Sequence, residues 1–103
     1  MNKYRLGEAV AVDMEAIWEY IAADDVDAAD RWIDRLFAAF ERLATNPAIG
    51  HKRRDLTRAE MLFWPVGAYF VIYRVIGTTV EIVAVTQGSR DVPMFLSQRM
   101  DTR

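Results

Sequence analysis

Two kinds of hydrophobic spacing divide the chain. Val10, Met14, Ile17, Trp18 and Ile21 recur at three- and four-residue steps, the stripe of an amphipathic helix over roughly residues 8–23. Ala29, Trp32, Ile33, Leu36, Phe40 and Leu43 predict a second helix over roughly 26–45, with Asp24 or Asp25 placed to cap its start and Asn46-Pro47 to stop it. Only Ala23-Asp24-Asp25 separates the two stripes, so an antiparallel helical hairpin is expected. Trp18, Trp32, Phe37 and Phe40 fall at helical spacing and read as core. Glu8, Asp13, Glu15 and Glu19 read as the solvated face of the first helix.

Beyond residue 60 the apolar positions run nearly continuously, which predicts strands over roughly 61–65, 69–75 and 80–86. Gly77-Thr78 is a two-residue turn, and it sets Ile76 opposite Thr79, Val75 opposite Val80 and Arg74 opposite Glu81. Counting on from the turn puts Phe70, Ile72, Val83 and Val85 on one face. Tyr69, Val71, Tyr73, Val80, Ile82 and Ala84 fall on the other. A sheet wet on one side alternates polar and apolar; this hairpin is apolar on both, so each face needs a cover. Trp64 precedes Pro65, which lacks the donor a central strand needs and places this segment at a strand end or sheet edge. Lys3-Tyr4-Arg5-Leu6 is long enough only for a short edge strand.

The order gives an α+β fold: an N-terminal edge strand, an antiparallel helical hairpin, then a three-stranded antiparallel meander. We read residues 1–103 as one domain with a C-terminal tail at 92–103. The helical hairpin covers one sheet face. The tail, Val92 to Met100, is apolar enough to lie across part of the second, and a partner is expected to cover the rest. On that reading the isolated chain self-associates.

Composition narrows the function. The chain has no cysteine, which excludes disulfides and thiolate metal sites and fits a reducing compartment. It shows no spanning apolar run and no signal pattern, so a cytoplasmic protein without membrane contact is expected. Thirteen Lys and Arg against fifteen Asp and Glu give a net charge of −2, which disfavours a general or sequence-specific nucleic-acid binder. Residues 46–60 have no period and hold His51, Lys52, Arg53, Arg54 and Arg58, the one basic cluster, and this predicts an exposed loop. We find no metal-ligand spacing, no Gly-rich phosphate loop and no nucleophile motif, so no cofactor and no catalytic residue is expected.

The segments Trp18-Glu19-Tyr20-Ile21-Ala22, Ala39-Phe40-Glu41-Arg42-Leu43 with Asn46-Pro47 and Gly50, Arg54-Asp55-Leu56, Phe70-Val71-Ile72-Tyr73-Arg74-Val75 and Gly88-Ser89-Arg90-Asp91 stand in this order. In order and spacing, from about residue 3 to residue 91, they resemble the RelE/ParE toxin superfamily, and most of all its ParE branch. The resemblance implies the toxin of a bacterial type II toxin–antitoxin pair, held inactive in a complex with its cognate antitoxin. For the ParE branch it implies DNA gyrase as the target; for the RelE branch, ribosome-dependent cleavage of messenger RNA.

Cutting RNA calls for clustered acid, base and cationic groups. This chain has Leu62, Ala68 and Ala84 where superfamily members often carry basic residues, and Gln87 where they carry histidine. That disfavours the nuclease and leaves open a third reading, a non-toxic member that acts only in the antitoxin complex. Candidate target contacts are Arg53, Arg54, Arg58, Arg74 and Arg90. Arg74 has a competing role as the cross-strand partner of Glu81, and Arg90 as a partner of Asp91 or a cap of the tail. Candidate antitoxin contacts are Trp64, Tyr69, Tyr73 and Ile82.

Overall fold

A computed structural model of the chain describes residues 4–101, with side chains through Arg99; Lys3, expected in the first strand, and residues 102 and 103 of the tail lie outside the described residues. The elements are β1 (Tyr4–Leu6), α1 (Val10–Ala22), α2 (Val26–Thr45), β2 (Leu62–Val66), β3 (Tyr69–Ile76), β4 (Thr79–Gln87) and α3 (Val92–Asp101). The sheet runs in the order β1-β4-β3-β2. β2, β3 and β4 form the antiparallel meander, while β1 joins the free edge of β4 in parallel, so the sheet is mixed.

Local chemistry sets the helix ends. The Asp25 carboxylate accepts from the Ala28 amide at 3.0 Å and caps α2, and Asn46 before Pro47 ends it. Trp18 donates its indole N–H to Asp30 at 2.8 Å, which ties α1 to α2. The apolar stripes then bury Val10, Met14, Ile17, Leu36, Phe40 and Leu43 against Tyr69, Val71, Tyr73, Val80, Ile82 and Val85. Phe37, expected in the core, is 38% exposed at the outer side of α2, its ring edge-on to Phe40.

Gly77 takes φ +63° at the β3–β4 turn, and the pairs Ile76–Thr79, Val75–Val80 and Arg74–Glu81 form as counted. The count then breaks. Tyr73 pairs with Ile82 but Ile72 pairs with Ala84, so Val83 is an extra residue in β4. Such a bulge shifts every later side chain to the opposite face. Val85 therefore lies beneath the helices and Ala84 on the second face, the reverse of the uninterrupted count.

The second face also differs from expectation. Residues 92–101 are a helix rather than a loose tail, and Val92 and Leu96 are buried against Met61, Phe63, Ile72 and Ala84. Leu56, Ala59 and Phe70 pack around this second cluster. The chain thus supplies a cover that was assigned to a partner. At the β3–β4 turn Val75 and Ile76 stay 42% and 50% exposed, Val75 on the helical face with its cross-strand partner Val80 and Ile76 on the second face.

Candidate functional site

Of the basic residues singled out in the sequence, Arg53 and Arg74 lie on the side of the sheet away from α1 and α2, while Arg90 lines a cleft against α1 and His51 packs on Trp64. Arg74 and Arg5 lie cross-strand from Glu81 on either flank, and both bind it: Arg74 Nε at 2.6 Å from Oε1 and Arg5 Nη2 at 2.9 Å from Oε2. The Arg74 hydrogen bond, with help from Arg5, holds the Glu81 carboxyl below its ordinary value against the opposing effect of burial. Arg53 sits over the Phe70 ring and forms a two-pronged pair with Asp55 at 2.9 and 2.7 Å. Arg54 and Lys52 share Glu60, at 3.0 and 3.4 Å. Arg58 is exposed, with its backbone carbonyl accepting from Arg54. Arg90 lies over the Phe95 ring, and Asp91, instead of pairing with Arg90, caps α3 by accepting from the Met94 amide.

The aromatic candidates sit elsewhere. Tyr73 and Ile82 are fully buried beneath the helices and have no surface for a partner, while Tyr69, 6% exposed, holds the core with its ring and lines a cleft against α1. The Tyr73 hydroxyl donates to the Pro47 carbonyl at 2.7 Å and accepts from the Gly50 amide at 2.8 Å, fixing the start of the basic loop. Gly50 has no Cβ to strike the Tyr73 ring packed on it. Burial pushes the Tyr73 phenol above its ordinary value, with the Gly50 bond pulling the other way. Trp64 is half-buried at the β2 edge with the Arg42 guanidinium over its ring and the His51 ring alongside. His51 bridges Phe63 through two backbone bonds of 2.9 and 2.8 Å, which occupies part of the outer edge of β2.

Of the ion pairs among the described residues, sequence reasoning anticipated only Arg74–Glu81, and the most buried one it missed is Asp13–Arg99. Asp13, read as part of a solvated face, accepts from Arg99 at 2.7 and 3.2 Å and from the Val85 amide at 3.1 Å. Arg99 also donates to the Val83 carbonyl at 2.9 Å. β1 ends at Leu6, opposite Ile82, so the β4 edge beyond it lacks a strand, and these two side chains satisfy it instead. The only sequence signal is the single acidic residue in the first turn of α1, and it resembles any other solvated carboxylate.

Charge is segregated along the same axis. Residues 8–45, the helical layer, hold ten Asp and Glu against three Arg, while the remainder holds ten Lys and Arg against five acids. A net charge of −2 therefore conceals an acidic layer and a basic one.

Comparison with known proteins adds a family. The profile of the ParE toxin of type II toxin–antitoxin systems, parDE, matches residues 4–92. The toxin ParE1 of Mycobacterium tuberculosis, in strains CDC 1551 and H37Rv alike, is 32% identical over 101 residues, covering 97% of this chain and 93% of the relative. Among solved structures, a chain of the chromosomal ParDE toxin–antitoxin system from P. aeruginosa superposes with a TM-score of 0.70 at 15% identity, over 84% of this chain and 96% of that one, which speaks to the fold.

Proposed function

Since the chain belongs to the ParE toxin family of type II toxin–antitoxin systems, we propose that it arrests growth by acting on DNA gyrase in the cytoplasm and is neutralised by a cognate antitoxin. The observation that favours gyrase over messenger RNA is the state of the cations. Arg5, Arg74, Arg53, Arg54 and Arg99 each bind a carboxylate of the same chain, which leaves only Arg58 and Arg90 of the candidate target arginines without one among the described residues. A phosphate-cleaving site needs cations free to meet the developing charge. A protein target asks less of them: paired guanidinium groups on a basic face steer and orient a partner through their remaining donors. We assign target contact to Arg53, Arg54, Arg58 and Arg74, and to Arg90 after β4. The antitoxin contact falls to Trp64 at the β2 edge, with Tyr69, Tyr73 and Ile82 shaping the surface from beneath.

The test is a supercoiling reaction with purified gyrase, plasmid and the full chain, run beside a translation reaction. Accumulation of linearised plasmid with intact translation is expected. Unaltered gyrase products together with cuts in ribosome-bound message would overturn the reading in favour of the nuclease. Co-expression with the small protein encoded next to this chain should restore growth, and a neighbour that neither binds nor restores it counts against the antitoxin.

A further inference from the structure

A cleft of about 260 Å³ opens between α1 and the ends of β3 and β4; Tyr69 and Arg90 of its lining carry roles proposed above, but the cleft itself has none. Its walls are Ile17 and Tyr20 of α1, Tyr69 and Val85 of the sheet, and Gln87 and Arg90 where the chain leaves β4. Three features give it a chemical preference. The Tyr69 ring is buried, while its hydroxyl reaches the open cleft and has no hydrogen-bond partner among the described residues. A phenol whose ring is already held by packing offers its hydroxyl to a ligand with little ordering cost. Arg90 stacks on Phe95 at 4.8 Å and, among the described residues, has no carboxylate partner, which sets it apart from the paired arginines of the basic face. Asp13 also lines the cleft, but Arg99 and the Val85 amide take both of its oxygens, so its charge is neutralised in place.

We propose that this cleft receives one acidic side chain of a partner polypeptide, its carboxylate held by Arg90 and the Tyr69 hydroxyl and its methylenes against Ile17 and Val85. The size supports a side chain over a free ligand, because sites for drug-sized molecules span about 300–1,000 Å³. The charge selects an acid: an amide offers the guanidinium one neutral oxygen, and a carboxylate offers two charged ones. A basic side chain would meet Arg90 with no free carboxylate to compensate.

The experiment titrates N-acetyl-glutamate N-methylamide, and separately its glutamine counterpart, into the full isotope-labelled chain to about 50 mM while amide shifts are followed, a range that captures millimolar binding. Saturating shifts at the Gln87 side-chain amide and at the backbone of residues 85–90 are expected, with the glutamine probe at least tenfold weaker, roughly the margin of a charge-assisted over a neutral contact. Arg90→Gln should bring the two probes level, and Tyr69→Phe should weaken the glutamate probe several-fold with an unchanged melting curve. Lys52→Gln should leave the titration as it was. Equal midpoints for the two probes, no saturation, shifts of the same size around Lys52 and Arg58, or no effect of Arg90→Gln would overturn the proposal. The titration needs neither gyrase nor antitoxin, so its failure is separable from failure of the toxin reading.

Discussion

Tyr73 and Glu81 show how much a single side chain holds. The Tyr73 ring is fully buried while its hydroxyl pins the loop at Pro47 and Gly50. Tyr73→Phe keeps the packing but leaves one carbonyl and one amide unpaired, and we expect a loss of about 1–2 kcal/mol in denaturant unfolding. Glu81 contributes to stability on the acid side. Its carboxyl is held below the ordinary value of 4.5, first by the Arg74 hydrogen bond. A depressed acid contributes stability that is complete above the unfolded value and is lost as pH falls through the folded one. Melting temperature should therefore hold from neutral pH down to about 4.5 and then fall. Glu81→Gln should fall less steeply over the same interval, and an identical slope would remove Glu81 as the cause.

At the level of elements, α3 is where sequence and structure part most. Its residues look like a tail because the apolar positions, though numerous, are only weakly periodic, and Pro93 stands at its second position. Pro is tolerated there because first-turn amides have no intrahelical acceptor to lose. Packing of Val92 and Leu96 and the reach of Arg99 to Asp13 then stabilise a helix too short to persist alone. Leu96→Ala should cost about 2–3 kcal/mol. Arg99→Gln should speed amide exchange through α3 and at Val85 while leaving α2 protected, since only the clamp at the β4 edge is lost. Equal acceleration in α2 would mean that the clamp supports the whole fold. With the second face covered from within, the chain should sediment as a monomer, against the self-association expected of a bare sheet.

For the whole molecule, the separation of an acidic helical layer from a basic sheet side makes a prediction about function rather than stability. Replacing Arg53, Arg54 and Arg58 together by Ser should abolish growth arrest and leave the melting temperature nearly unchanged, because these side chains lie at the surface and their ion pairs are solvated. A triple variant that arrests growth as before would move target contact off the loop. The sequence by itself determined the extent of α2, the place of α1, an aspartate cap between them, the Gly77 turn and the order of the strands and first two helices, since each is written in neighbouring residues whose spacing matches one backbone period. Its segments also carried the family, later matched over residues 4–92. Only the tertiary structure decided the Val83 bulge, the parallel seat of β1, the α3 cover and the Asp13–Arg99 pair. A bulge adds one residue without altering composition, and the Asp13–Arg99 pair joins residues 86 positions apart. Contacts of that range exist only after the chain has closed on itself, so no local period announces them.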